Sequence, residues 1–442
     1  MALSAAALHA ASKIEDADAL FRAGKFPEAA KAYAEVLAAD PKSTPAQLRM
    51  GQLALYANQF DEAEKHLRKA LELDPGAKKA KSALAELFHR RDDFELAARW
   101  YRETGDDAKA AEMASYKGVT PYRIEGPLPV TLKFVATDPL PVVRVKVNGG
   151  EAVDFLIDTG GPEVVLESEF AKRMGVQSVA TTTGTFAGGQ HAEVSHYRAA
   201  LTLENLVIKD VPVIMVPLPE VGGRKIYGIL GTELLYHFLP TLDYPGGQLI
   251  LRQRSAETLN QVERQAASQH AIVVPFWMAG DHFMVAWGRV NQAPPALLFI
   301  DTGFSKGGFL CPESTLKEAG ITSVPDTPAA AGNGSGTGAG QDGHGNNPAS
   351  PPAQPAGNEK KNASASGAEP PSQTSSEVPF VVDQLSLGKA RGEKINGLTN
   401  IFPPSLEYAF GFRIAGLISH QFFRPFAVTF DFNGMRLFLV KP

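Results

Sequence analysis

The sequence predicts a multidomain chain, with an all-α stack of helical repeats followed by a mainly-β, bilobal region. Three observations predict it. Residue types recur with a fixed spacing of 34 positions over the N-terminal region. Beyond Tyr116 the apolar residues change from helical to short strand-like runs. A long ordered pattern built on Asp-Thr-Gly then occurs twice, around Asp158 and around Asp301. A chain of 442 residues is also too long for one ordinary core.

The repeats come first. Ala29, Ala63 and Ala97 stand in register, as do Tyr33, Leu67 and Tyr101, and Phe26, Phe60 and Phe94. Pro41 and Pro75 close two of the units. Each unit reads like GKFPEAAKAYAEVLAADP, a helix, a short turn, a second helix and a proline stop. Alanines allow two helices to approach closely, and the aromatics fill the groove between them. The pattern resembles the tetratricopeptide repeat, in three copies over about residues 10–111, the third degenerate at its end. A repeat module is assigned to residues 10–115 and a proline-bearing connector to 116–129. The resemblance implies either a surface for a protein partner or a helix stack without a ligand. The opening MALSAAALHAAS lacks the basic residues of a secretory signal and is read as a helix start, with the remnant of a trimmed export signal as the alternative.

From Val130 onward, VVRVKVNG, DFLIDTG, YRAALTL, VPVIMV, YGILG and GQLILR are strand candidates between Gly, Pro and Asn turns. Texture of the same kind resumes near Ala271. The two lobes are placed at 130–258 and 259–442. Residues 326–377 contain no Val, Ile, Leu, Met, Phe, Trp or Tyr, so they are read as a disordered insert in the second lobe.

Composition excludes several classes of function. Hydrophobic residues at 44% and charged residues at 21% suit a globular chain, and a net charge of −5 offers no nucleic-acid surface. No apolar run is long enough to span a bilayer. The single cysteine, Cys311, cannot form an internal disulfide, which leaves the compartment open, and it is expected in the core. No His-Glu-x-x-His, cysteine pair or Gly-rich phosphate loop with its lysine occurs, so no metal or cofactor is expected. His282 and His420 are read as locally satisfied side chains.

The duplicated pattern carries the chemistry. FLIDTGGPEVVL (Phe155 to Leu166) and ALLFIDTGFSKGGFL (Ala296 to Leu310) both run from an apolar strand into Asp-Thr-Gly and back to apolar residues. Downstream, YGILGTELLYHFLPTLDYPGGQLIL matches AGLISHQFFRPFAVTFDFNGMRLFL segment by segment. A carboxylate at the end of a buried strand is costly unless something nearby holds it. Two close carboxylates that cannot both ionise share a proton, so one can act as base and the other as acid.

Over roughly Val130 to Lys441 the chain resembles the aspartic proteases, specifically those with retropepsin-like lobes, two lobes in one chain. The resemblance implies an acid-protease fold in which Asp158 and Asp301 form one catalytic dyad. It implies that Thr159 and Thr302 cross-brace the loops, while Gly160 and Gly303 let backbone N–H groups approach the carboxylates. Ile229–Leu230–Gly231 and Leu417–Ile418–Ser419 would pack behind the loops. Dimerisation would not be required, because one chain holds both loops. Substrates would be peptides or proteins, hydrolysed by activated water.

The sequence departs from the family at Gly161 and Phe304, where a hydroxyl or alanine is usual, and at Ser419 where the first lobe has Gly231. These departures support an alternative, a catalytically weakened protease-like protein that binds peptides. Thr181 to Leu201 reads as a hairpin flap with Gly188–Gly189 at its tip and Phe186 and His191 beside it. The repeats are expected to be dispensable for chemistry, and the insert to lie outside the cleft.

Overall fold

A computed structural model describes residues 5–185, 191–322 and 377–441. The repeats are the helices α1 (Ala5–Arg22), α2 (Phe26–Ala39), α3 (Thr44–Tyr56), α4 (Phe60–Leu73), α5 (Lys78–Arg90), α6 (Phe94–Thr104) and α7 (Asp107–Ala114). Pro27 and Pro45 sit in the first turns of α2 and α3, where a missing N–H costs nothing. Asp93 and Asp106 cap α6 and α7, accepting the Leu96 and Lys109 N–H groups at 3.2 and 3.0 Å. The in-register Ala29, Ala63 and Ala97 are fully buried between helices, as the spacing predicts.

The turn within each pair carries a left-handed residue at the same repeat position: Gly24 (φ 72°), Asn58 (φ 54°) and Asp92 (φ 58°). All three turns dock on the β region. Gly24 lies so close under Leu297 that a Cβ there would overlap it. Asn58 Nδ2 donates to the Phe432 carbonyl at 2.8 Å, and the Asp92 carboxylate meets His237 Nε2 at 2.9 Å. One edge of the helix stack is therefore built against the lobes.

Each lobe is a closed six-stranded barrel. The first runs, in spatial order, Val142–Val147, Val153–Ile157, Gly228–Leu230, Val164–Glu167, Leu206–Val216 and His191–Leu203. The second repeats that order as Phe283–Val290, Ala296–Asp301, Ile414–Ser419, Phe309–Leu310, Ala390–Thr399 and Val378–Leu387. Strand directions agree pair by pair, including the parallel pairings of Val153–Ile157 with Gly228–Leu230 and of Ala296–Asp301 with Ile414–Ser419. Closure leaves each barrel without an exposed edge. Between them lies an antiparallel sheet of Val130–Lys133, Gln248–Gln253, Phe238–Asp243, Ala427–Asp431, Arg436–Val440 and Ile272–Ala279. It is symmetric about the pairing of Thr241 with Thr429, whose hydroxyls meet at 2.7 Å.

The repeats do not stand apart from the lobes. Phe21, Phe26, Tyr33 and Tyr56 share one core with Leu297, Phe299, Phe412 and Ile414 of the second lobe. Phe26 packs edge-on against Phe412 at 4.9 Å and Trp277 at 5.3 Å. Leu84, Phe88, Phe94 and Met113 join the core that runs into the first lobe. The aromatics assigned to the groove between helices also serve the interface. Cys311 is buried, as expected.

The hairpin expected as a flap is present in its arms: Gln177–Thr185 pairs antiparallel with His191–Leu203, ending at Thr185 opposite His191. Phe186, Gly188 and Gly189 lie outside the described residues. So does the expected insert 326–377, apart from Glu377, which pairs with Lys306.

Candidate active site

Asp158 follows directly on Val153–Ile157 and Asp301 ends Ala296–Asp301, two strands buried along nearly their whole length. A β run with apolar residues on both faces fits only such a place. Asp158 N–H donates to the Leu230 carbonyl at 3.0 Å, so the loop leaves its strand at the height of Ile229–Leu230–Gly231. Asp301 stands opposite Ser419 at the same level of the second lobe.

The two loops interlock through their threonines. Thr159 N–H donates to Thr302 Oγ1 at 2.9 Å, and Thr302 N–H donates to Thr159 Oγ1 at 3.1 Å. Each hydroxyl then donates across to the other lobe, Thr159 Oγ1 to Ile300 O at 3.1 Å and Thr302 Oγ1 to Ile157 O at 3.2 Å. Four hydrogen bonds thus tie two barrels through side chains that are themselves buried. Asp158 Oδ1 accepts Gly160 N–H at 2.6 Å, and Asp301 Oδ1 accepts Gly303 and Phe304 N–H at 2.8 and 3.1 Å. A Cβ on Gly160 would overlap the Asp301 carboxyl, and one on Gly303 would overlap that of Asp158. The crossed glycines let two acids meet.

The electrostatics follow from that approach. Burial raises the Asp158 carboxyl, against the Gly160 N–H, the bond to Asp301 and the charge of His282. Burial together with the Asp158 charge holds Asp301 well above the usual carboxylate range. The pair therefore binds a proton that isolated aspartates would have lost.

The departures at Ser419 and Phe304 have packing reasons. A Cβ on Gly231 would run into the Pro162 and Glu163 carbonyls, so only glycine fits there. In the second lobe the corresponding loop stands off far enough for Ser419, which donates to Gly307 O at 2.7 Å and caps the next helix at Gln421 N–H (3.2 Å). The Phe304 ring packs into the aromatic cluster shared with the repeats. Its N–H supplies the second donor to Asp301, a donor that no side-chain hydroxyl has to provide.

Residues 143–234 match the family model of an aspartyl protease, and residues 20–87 match that of a tetratricopeptide repeat. Within 143–234, then, this chain is similar to an aspartyl protease domain. The matched segment holds the Asp158 loop and ends just past Gly231, and the second barrel repeats its strand order around Asp301. A comparison with curated proteins finds no match. No helix among the described residues is long and apolar enough to cross a membrane.

His282, read as a local residue, does bond locally: its Nδ1 meets the Asp281 carboxylate at 2.6 Å and its ring lies 4.0 Å from Phe283. It also lies near enough to Asp158 to favour that residue's charge. His420 is buried, and burial with the Arg424 charge pushes it down to about 4. Sequence reasoning passed over Glu163, Lys109 and Glu112. Lys109 Nζ lies 3.4 Å from Glu163 and 3.5 Å from Glu112. Burial works against the Lys109 charge, yet Glu112, Glu163 and Glu233 outweigh it and hold that lysine well above its usual range. Glu163 is nonetheless raised, by burial and by Asp281 and Glu112, because several acids crowd one cation. A lysine on the exposed-looking DAKAAEMA gives no sign of this burial; only the lobe packed on it does.

Proposed function

We infer that this protein is an aspartic endopeptidase whose dyad is Asp158 and Asp301. The observation that carries the reading is the reciprocal threonine brace, which aims two raised carboxyls at one another across the lobe boundary. In this reading the dyad holds one shared proton, taken here on Asp301 with Asp158 ionised. Water adds to the scissile carbonyl carbon, giving a proton to Asp158 while Asp301 protonates the carbonyl oxygen. The gem-diol then collapses. Asp158 gives its proton to the leaving nitrogen, Asp301 takes one from a diol hydroxyl, the C–N bond breaks and the dyad is restored.

Thr159, Thr302, Gly160 and Gly303 support the loops rather than touch the substrate. The hairpin of the first lobe, with Phe186, Gly188 and Gly189 at its tip, is proposed to close over an extended peptide by strand addition. The repeats mark a protein that works on or beside other proteins, though one edge of them is already occupied by the lobes.

A peptide-library digest from pH 3 to 8 tests the reading, comparing wild type with Asp158→Asn and Asp301→Asn. Both variants should stay folded and lose cleavage. Substantial turnover by either one would overturn the aspartic mechanism, and a wild type that binds the peptides without cutting them would favour the weakened-protease alternative.

A further inference from the structure

The last helix of the repeats touches two separate parts of the first lobe. On one side Lys109 reaches Glu163, on the loop that begins at Asp158. On the other, Glu112 lies 3.7 Å from His196 Nδ1, on the hairpin arm. Arg198 Nη2 donates to Ser115 O at 2.8 Å, and its guanidinium stands 4.5 Å above the Tyr116 ring. Lys109 and Glu112 pair with each other, so one largely buried row of polar groups, Glu163, Lys109, Glu112 and His196, runs from the Asp158 loop to the hairpin.

The place where α7 grips the hairpin is its root. Tyr197 pairs with Val213 inside the barrel, whereas His196 pairs only with Ala180 of the opposite arm. The register of that arm shifts between Ser178 and Ala180, beside the same point. Such a shift bends a ladder and re-aims what lies beyond it. A hairpin clamped there has its direction set by the clamp.

Stability alone does not account for the charges. A buried ion pair is often no more stabilising than apolar residues of the same volume, whereas it does fix a geometry. The groups facing Lys109 are Glu112 on its own helix, Glu163 and Glu233 from the first lobe, and Tyr101 from α6. They hold its ammonium between loop and hairpin. Resting on the endopeptidase reading, we propose that α7 is a strut that sets the hairpin against the Asp158 loop, with Lys109 as its positioning residue. The repeats would then belong to the active-site framework of the first lobe.

The test pairs hydrogen exchange with peptide kinetics on the full chain, for Lys109→Met and Lys109→Arg. In Lys109→Met, exchange of the amides at 191–198 and 158–163 should speed up by about tenfold while the second lobe keeps its protection. Its kcat should fall about tenfold with KM within about threefold, since misplaced groups lose transition-state contacts. Lys109→Arg, which keeps the charge, should recover most of both. If Lys109→Met does not fold, Glu112→Gln, which weakens the contacts to His196 and to Lys109 but leaves Lys109 on Glu163, should still free the hairpin amides.

Unchanged hairpin exchange and kcat in a folded variant would overturn the strut, as would exchange that rises equally in both lobes. A wild type without Asp158-dependent cleavage would sink the endopeptidase reading instead, and the exchange data would still decide the strut.

Discussion

Replacing Thr302 by valine keeps the shape of the side chain and removes its hydroxyl, the most direct perturbation of the joint between the two acid-bearing loops. That hydroxyl accepts the Thr159 N–H at 2.9 Å and donates to the Ile157 carbonyl at 3.2 Å. Valine leaves both groups buried and unpaired. Each unsatisfied group costs about 1–3 kcal/mol, so the change should cost about 2–6 kcal/mol. Thr159→Val orphans the mirror pair, the Thr302 N–H and the Ile300 carbonyl, and should cost a similar amount. Thr302→Ser keeps the hydroxyl and loses one methyl, at about 1 kcal/mol. Urea midpoints followed by circular dichroism give the stabilities, and initial rates on a cleavable peptide give the activities. The valine variants should lose about tenfold or more in kcat, because the brace sets the separation of the carboxyls. A Thr302→Val protein as stable and active as Thr302→Ser would refute the brace. A gap of more than about 2 kcal/mol between the two valine variants would refute its reciprocity.

Asp301→Asn should melt higher than wild type at pH 7 while losing activity. The folded pKa of Asp301 lies above the unfolded one, so its contribution is present in acid and is lost as pH rises through the folded value. Asparagine removes that loss, so the gain should vanish near pH 3; an equal gain at both pH values would contradict it. Glu86 in α5 follows the same rule, since burial outweighs its partner Arg90 and lifts it to about 7 from 4.5. Glu86→Gln should therefore stabilise the protein above pH 7 and not below about pH 4.5, as thermal melts across that window will read. Phe26→Ala, which empties an aromatic contact between the repeats and the second lobe, should cost about 3–5 kcal/mol, measured by urea midpoint. A chain starting near Pro121 should not be a stable, active protease. Full peptide cleavage by that truncated chain would show the shared core to be dispensable.

What the chain determines by itself is local or duplicated. The 34-residue spacing places alanines and aromatics on helix faces whatever lies beyond them, so the helix pairs and the short turns between them were legible. The two Asp-Thr-Gly loops were legible because the pattern occurs twice, each time at the end of an apolar strand. Chemistry that needs two carboxylates together needs two such loops. What covers each face was not legible. Gly24, Asn58 and Asp92 are ordinary turn residues in sequence, and only the fold brings Leu297, Phe432 and His237 against them. Lys109 looks like a solvated helix lysine until Glu163 and the hairpin root close over it. Ser419 and Gly231 occupy matching places, and which residue fits depends on how near a loop many residues away in the chain approaches. Periodicity reports which residues share a face, because backbone geometry is local. The partner of that face is chosen by burial summed over the whole chain, and only the tertiary structure performs that sum.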